Sequence, residues 1–287
     1  MQIGILGSTG VIGRHLAPLL LAQGHHVRCL TRAAHEVPAG AEQWVADVLE
    51  PASLERALAG LDVVINLATS IPNGKGRGDW GVNDRIRIDG TRNVLETLYQ
   101  SGGSCRLIQQ SVAMLHQEGG RVANESGEVT GQGILTSAVV MEANVQRSPL
   151  DWVLLRGAAV YGPDTARDSA FFARIASGRL RPPEDSTRWI SLVHIDDLAA
   201  AFAHAVTLPT RSTYIVSDDR PVTYDDLFSG FALSPPVNDA PVLNALPSFR
   251  VSNQRLRVTG WAPKHPDVFE TMRASAQSTL QADEVRN

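Results

Sequence analysis

The sequence predicts an α/β protein built on a doubly wound parallel sheet, and three observations predict it. The short apolar run Gln2 to Leu6 passes through the glycine-rich stretch Gly7-Ser8-Thr9-Gly10-Val11-Ile12-Gly13. Beyond it Val11, Ile12, Leu16, Leu19 and Leu20 recur at helical spacing. Strand-like and helix-like segments then alternate along the chain, the pattern of crossover connections between parallel strands. Finally, Asp62-Val63-Val64-Ile65-Asn66-Leu67-Ala68 is an apolar run of the kind buried on both faces of such a sheet.

The glycine stretch reads as a phosphate cradle on a strand-to-helix turn. Gly7 takes the tight turn, Gly10 lets backbone N–H groups approach a pyrophosphate without a Cβ in the way, and Gly13 lets helix and strand pack closely. The helix N-terminus then faces the anion, with Thr9, Val11 and Ile12 in the same loop. Dinucleotide binding is the expected result.

The second strand, His26 to Thr31, ends in Thr31-Arg32, where such a chain meets the adenosine ribose. An NAD enzyme places a carboxylate there for the ribose 2′-OH, whereas a 2′-phosphate attracts a guanidinium. Arg32 therefore points to NADP, and Arg14 stands where a second positive charge would reach the same pocket. A short third strand over Gln43 to Ala46 leads to Asp47 and Val48, expected beside the adenine. Asp47 has an alternative reading as the cap of the helix that holds Leu54, Ala57 and Leu58. The fourth strand ends in Leu67, Ala68 and Thr69, expected to pass under the cofactor. Asn83 to Gln100 reads as a helix with Ile86, Gly90, Val94, Leu95 and Leu98 facing inward, and Cys105 to Gln110 as the fifth strand. On these assignments Asn66, Asn83 and Arg87 face the cleft.

Composition sets limits on function. The 287 residues carry 43% hydrophobic and 20% charged residues and a net charge of −4. A chain of this length buries a large core, and its slightly acidic balance gives no electrostatic reason to expect nucleic acid or an anionic membrane as partner. No apolar run approaches the ~20 residues of a membrane helix, and a cytoplasmic protein is expected. Cys29 and Cys105 lie in apolar strand-like runs outside any CxxC spacing and read as reduced core residues. The histidines show no metal-ligand spacing, so no metal is expected.

Taken together, GSTGVIG, INLATS, IRIDGTRNVLETL, LIQQSVAM, LLRGAAVYGPDT, WISLVHIDDLAAAF and TYIVSDDRPVTYDDL occur in the order found in the extended short-chain dehydrogenases/reductases. More narrowly the chain resembles the NAD-dependent epimerase/dehydratase branch, from Met1 to about Pro266. The resemblance implies a Rossmann-type doubly wound parallel sheet with a smaller C-terminal substrate lobe. Residues 1–165 form the nominal NADP-binding domain, to which later strands return, and residues 166–287 mainly the lobe. Within the lobe, Arg167 to Gly178 reads as a helix with Phe171, Phe172 and Ile175 on one face, and the tail after Gln277 reads as frayed. A small-molecule substrate is implied, with a monomer or homodimer as the assembly.

Catalysis in that superfamily rests on Tyr-x-x-x-Lys, in which the ammonium one helical turn away lowers the phenol pKa. The pair is absent: four residues beyond Tyr99, Tyr161, Tyr214 and Tyr224 stand Gly103, Thr165, Asp218 and Phe228. Aligned on Glu142, Ile134 and Ala138 occupy the two positions. Ser111, at the fifth strand's end, matches the family's serine or threonine that hydrogen-bonds the substrate oxygen. His116, read otherwise as an exposed loop residue, is an imidazole suited to proton transfer at neutral pH. Tyr161 ends the sixth strand where the chain passes the nicotinamide. One carboxylate of Asp196-Asp197 is expected to cap the helix that follows, and Arg156 to be an internal charge partner. The implied function is an NADP(H)-dependent reductase, or an epimerase/dehydratase-like enzyme, with non-standard acid/base residues. A non-redox cyclase or isomerase and an inactive dinucleotide sensor are the alternatives.

Overall fold

In the computed structural model of the chain, residues 1–72, 78–116 and 121–274 are described. The tail expected to fray after Gln277 lies outside them.

Seven strands form one parallel sheet. In chain order they are β1 (Gln2–Leu6), β2 (His26–Thr31), β3 (Glu42–Val45), β4 (Val63–Asn66), β5 (Arg106–Val112) and β6 (Trp152–Gly157), followed after three short strands by β10 (Ser212–Val216). Their spatial order is β10-β6-β5-β4-β1-β2-β3, and every pairing is parallel. The chain builds outward from β1 to β3, then crosses back to lay β4 on the other side of β1. That reversal opens a crevice at the carboxyl ends of β1 and β4, where ligands bind in open sheets of this kind.

The helices divide between the two faces. On one face α1 (Val11–Ala22) packs against α7 (Ile195–His204), with Leu16, Leu20, Leu198 and Phe202 in a common core. On the other lie α2 (Pro51–Leu58), α4 (Thr91–Gln100) and α5 (Thr136–Arg147), whose Leu54, Leu98 and Val145 share a second core. The helix expected over Asn83 to Gln100 begins earlier, as α3 (Trp80–Arg85). It passes through a π turn, Ile86–Gly90, before α4, and all five residues expected to face inward are buried. β4 is buried along its whole length, and Cys29 and Cys105 are free, buried thiols.

The remaining elements sit beyond the carboxyl edge of the sheet. Helix α6 (Ser169–Ala176) buries Phe171, Phe172 and Ile175, as its apolar spacing requires, and is capped by the Asp168 carboxylate accepting from Phe171 N at 3.0 Å. β7 (Ala159–Tyr161) pairs with β9 (Leu192–His194), and β8 (Trp189–Ile190) with β11 (Val222–Thr223). Helix α8 (Tyr224–Phe231) starts from a reciprocal capping box between Thr223 and Asp226. The chain reaches this region, returns to the main sheet at β10, and leaves again. Among the described residues no helix is long and apolar enough to cross a membrane.

Candidate functional site

The glycine loop lies at the sheet's switch point. Gly7 has a φ of +80°, a conformation that a side chain would strain, and Gly10 N donates to its carbonyl at 2.9 Å to close the turn. A Cβ at Gly13 would fall 2.5 Å from the Ser8 backbone, so only glycine lets α1 lie this close to the loop. A Cβ at Gly10 would meet only the Gly7 carbonyl oxygen, at 3.1 Å, which leaves the space in front of it open. Gly10 heads α1 without a side-chain cap, and the first turn holds no acidic residue. The first-turn N–H groups and the helix dipole thus meet an uncovered cradle, and these residues fit a pyrophosphate. Ser8 is buried, Thr9 is half-buried, and the Thr9 carbonyl accepts from Arg14 Nη1 at 3.0 Å.

At the end of β2, Thr31 is buried, and its hydroxyl is committed to the Ala33 carbonyl at 2.7 Å. Arg32 is exposed. Asp47 does not cap α2: its Oδ1 accepts from Leu49 N at 2.9 Å, because the helix starts later, at Pro51, behind a Glu50 N-cap with no side-chain bond. Val48 and Leu67 are buried, Ala68 half-buried and Thr69 exposed. Asn66 fixes the end of β4. Its Oδ1 accepts from Ala68 N at 3.2 Å, and its Nδ2 donates to Gln109 Oε1 at 2.9 Å.

The three residues expected to act on substrate have different surroundings. Ser111 is 3% exposed and its hydroxyl has no hydrogen-bond partner among the described residues, an orphaned polar group at the carboxyl end of β5. His116 is no exposed loop residue: it is fully buried, and its Nε2 lies 2.7 Å from Arg156 Nη1. Because a guanidinium only donates, the imidazole accepts there. Burial first, and the neighbouring Arg156 charge second, push its pKa down to about 4. The imidazole is therefore neutral near pH 7, with no imidazolium proton to give. Tyr161 is also fully buried, edge-on to Phe172 and His194, and its hydroxyl donates to Thr271 Oγ1 at 3.4 Å. Burial drives its pKa upward, which keeps the phenol protonated.

Arg156 is the internal charge partner that its apolar flanks suggest. It forms a forked pair with Glu142, from Nη2 to Oε2 at 2.6 Å and from Nε to Oε1 at 3.0 Å. The cap of α7 is His194 rather than an aspartate, its Nδ1 accepting from Asp196 N at 3.3 Å. Asp197 instead accepts from Lys264 N and His265 N at 2.8 and 2.9 Å, which pins the later segment to α7. His265, far along the chain from His194 and Asp196, brings its ring into a group whose potential ligand atoms lie within 4.8 Å of one another, a grouping that no sequence spacing reveals.

Arg87, expected to face the cleft, has no task legible in the sequence, where its only signal is an arginine inside an otherwise apolar helix face. It is 6% exposed, and its Nη1 donates to the Ile134 carbonyl at 3.0 Å and to Ser137 Oγ at 3.3 Å. One turn earlier Asn83 is fully buried, its Oδ1 accepting from Ser70 N at 3.0 Å.

A parallel sheet with an uncapped glycine turn at its switch point defines a dinucleotide-binding protein. Residues 7–173 match the family described as NAD(P)H-binding, and the chain belongs to that family. Its fold is that of the extended short-chain dehydrogenases/reductases. It superposes on the UDP-glucose 4-epimerase of Thermus thermophilus in complex with NAD with a TM-score of 0.77 at 24% identity, over 95% of this chain and 99% of the other. Among curated relatives, a Streptomyces 3-diazoavenalumate denitrifying reductase is 30% identical over 93% of this chain and 97% of its own length. Caulobacter vibrioides ceramide reductase is 26% identical over 76% of this chain and 65% of its own length. An uncharacterized Mycobacterium tuberculosis protein is 27% identical over 72% of this chain, which spans only 20% of that protein.

Proposed function

We propose that this protein is an NADPH-dependent reductase whose acceptor requires no proton from the enzyme, and that the acceptor is an aryl diazonium. The lack of a proton donor at the site carries the reading: no tyrosine is followed four residues later by lysine, and the imidazole nearest Ser111 in the chain is held neutral by burial and Arg156. A ketone reductase must protonate the alkoxide that hydride transfer creates, and such a site lacks the usual means. A diazonium removes the need. The bound cofactor supplies hydride, so that aryl-N2+ and NADPH give aryl-H, N2 and NADP+, the electron pair of the broken C–N bond leaving with the nitrogen. The name of the 30%-identical Streptomyces relative describes an acceptor of this kind.

The chain's own residues then bind and orient. The glycine loop and the first turn of α1 hold the pyrophosphate, and Arg32, exposed at the end of β2, meets a 2′-phosphate. Ser111 offers its orphaned hydroxyl to the substrate as a positioning contact.

The test is isotopic. Purified protein is given NADPH deuterated at the transferring position and a hydroxyaryl diazonium salt, and the arene product is analysed by mass spectrometry. One deuterium from the labelled cofactor, none at that carbon from D2O, and a rate flat from about pH 6 to 8.5 are expected. Absence of N2 release, or carbon-bound deuterium drawn from D2O, would refute the reading.

A further inference from the structure

Among the described residues Arg87 is a buried cation with no carboxylate in direct contact. Its hydrogen-bond partners are a backbone carbonyl and a hydroxyl, both neutral, and no carboxylate among the described residues lies within the 4.0 Å of an ion pair. Asp84, three residues earlier, acts on it only through space, and burial lowers the Arg87 pKa. A guanidinium stripped of most of its water and left unpaired is costly, and such groups are ordinarily matched by an anion. A second group nearby makes the same demand: Asn83 Nδ2, fully enclosed, has no acceptor among the described residues.

The topology sets these donors beside the crevice. The helical run Trp80 to Gln100 leaves the carboxyl end of β4 and returns to the amino end of β5, so its first half lies on the ligand side of the sheet. Helix α5 runs the same way between β5 and β6, so Ile134 and Ser137, at its start, lie on that side too. Arg87, in the π turn of the first run, therefore meets the start of α5 on the ligand side of the sheet, beside Ala138.

We infer that Arg87, with Asn83 beside it, forms a carboxylate-binding subsite that anchors an aromatic acid next to Ser111. The inference rests on the reading of this crevice as the substrate site and narrows the substrate class to aryl compounds that carry a carboxylate. Guanidinium and carboxylate match as a planar, two-pronged pair, and burial strengthens the match.

The experiment reads binding, not turnover. Affinities of 4-hydroxycinnamate and of its methyl ester are measured by calorimetry on the full chain with NADP+ present. The acid should bind at least tenfold tighter than the ester. That gap should close in Arg87→Gln and largely persist in Arg87→Lys, with circular dichroism reporting the fold of each variant. Should Arg87→Gln fail to fold, the side-chain guanidinium resonance of Arg87, assigned by its loss in Arg87→Lys, should shift on adding the acid and not the ester. Equal affinity for acid and ester, no binding of the acid, a preference that survives in Arg87→Gln, or an unmoved Arg87 resonance overturns the inference. Because no hydride transfer is involved, a carboxylate preference in a protein that reduces no diazonium would sink the proposed reaction and leave the subsite standing.

Discussion

Glu142 and Arg156 are joined by a forked ion pair inside the protein, with Nη2 and Oε2 2.6 Å apart and both side chains 4% exposed. The pair ties α5 to β6, and the arginine's remaining arm reaches His116 at 2.7 Å. Because Arg156 is the register partner of Ser111 on the neighbouring strand, the pair and His116 are fixed beside that serine.

Removing one partner leaves a charge stranded in a low-dielectric interior. Glu142→Ala should lower stability by about 3–5 kcal/mol, read from the midpoint of urea unfolding. The double replacement Glu142→Leu with Arg156→Met should cost less than either single change, because no unpaired charge remains.

His116 makes stability depend on pH in a defined window. The unfolded chain takes up the imidazole proton near 6.5, whereas the folded chain resists it down to about 4. The stabilisation is therefore complete above pH 6.5 and lost as pH falls from there toward 4. His116→Gln keeps an acceptor for Arg156 and removes the titration, so its Tm should fall less steeply over that window. His194, whose pKa burial and then His265 also lower, should contribute the slope that remains.

The glycine loop separates binding from folding. Gly10→Val places its side chain in the open cradle and should abolish dinucleotide binding with the circular dichroism spectrum preserved. Gly13→Val drives a side chain into the Ser8 backbone and should destabilise the fold itself. Full cofactor affinity in folded Gly10→Val would mean that the loop holds no pyrophosphate.

Arg32 should set the choice between the two nicotinamide cofactors. NADPH should bind at least tenfold tighter than NADH, and Arg32→Ala should narrow that gap by the ~1.5–3 kcal/mol of a charge-assisted contact. Equal affinities in the parent protein, measured by calorimetry, would count against it.

Local pattern carried the sheet, the glycine turn and the inward face of the helix from Asn83 to Gln100, because strand and helix periods and glycine's backbone freedom act within a few residues. The same locality limits what a sequence discloses. His116 reads as a loop histidine until Arg156, forty residues later, arrives from the neighbouring strand to bury it and hold it neutral. His194 displaces the expected aspartate as the cap of α7 because Asp197 is drawn off to the backbone of Lys264 and His265. Arg87 acquires a meaning only when the start of α5 closes over it. Which strands lie side by side follows from the order of the elements; which polar groups are left unpaired beside the crevice depends on contacts that span the whole chain, and tertiary packing alone decides those.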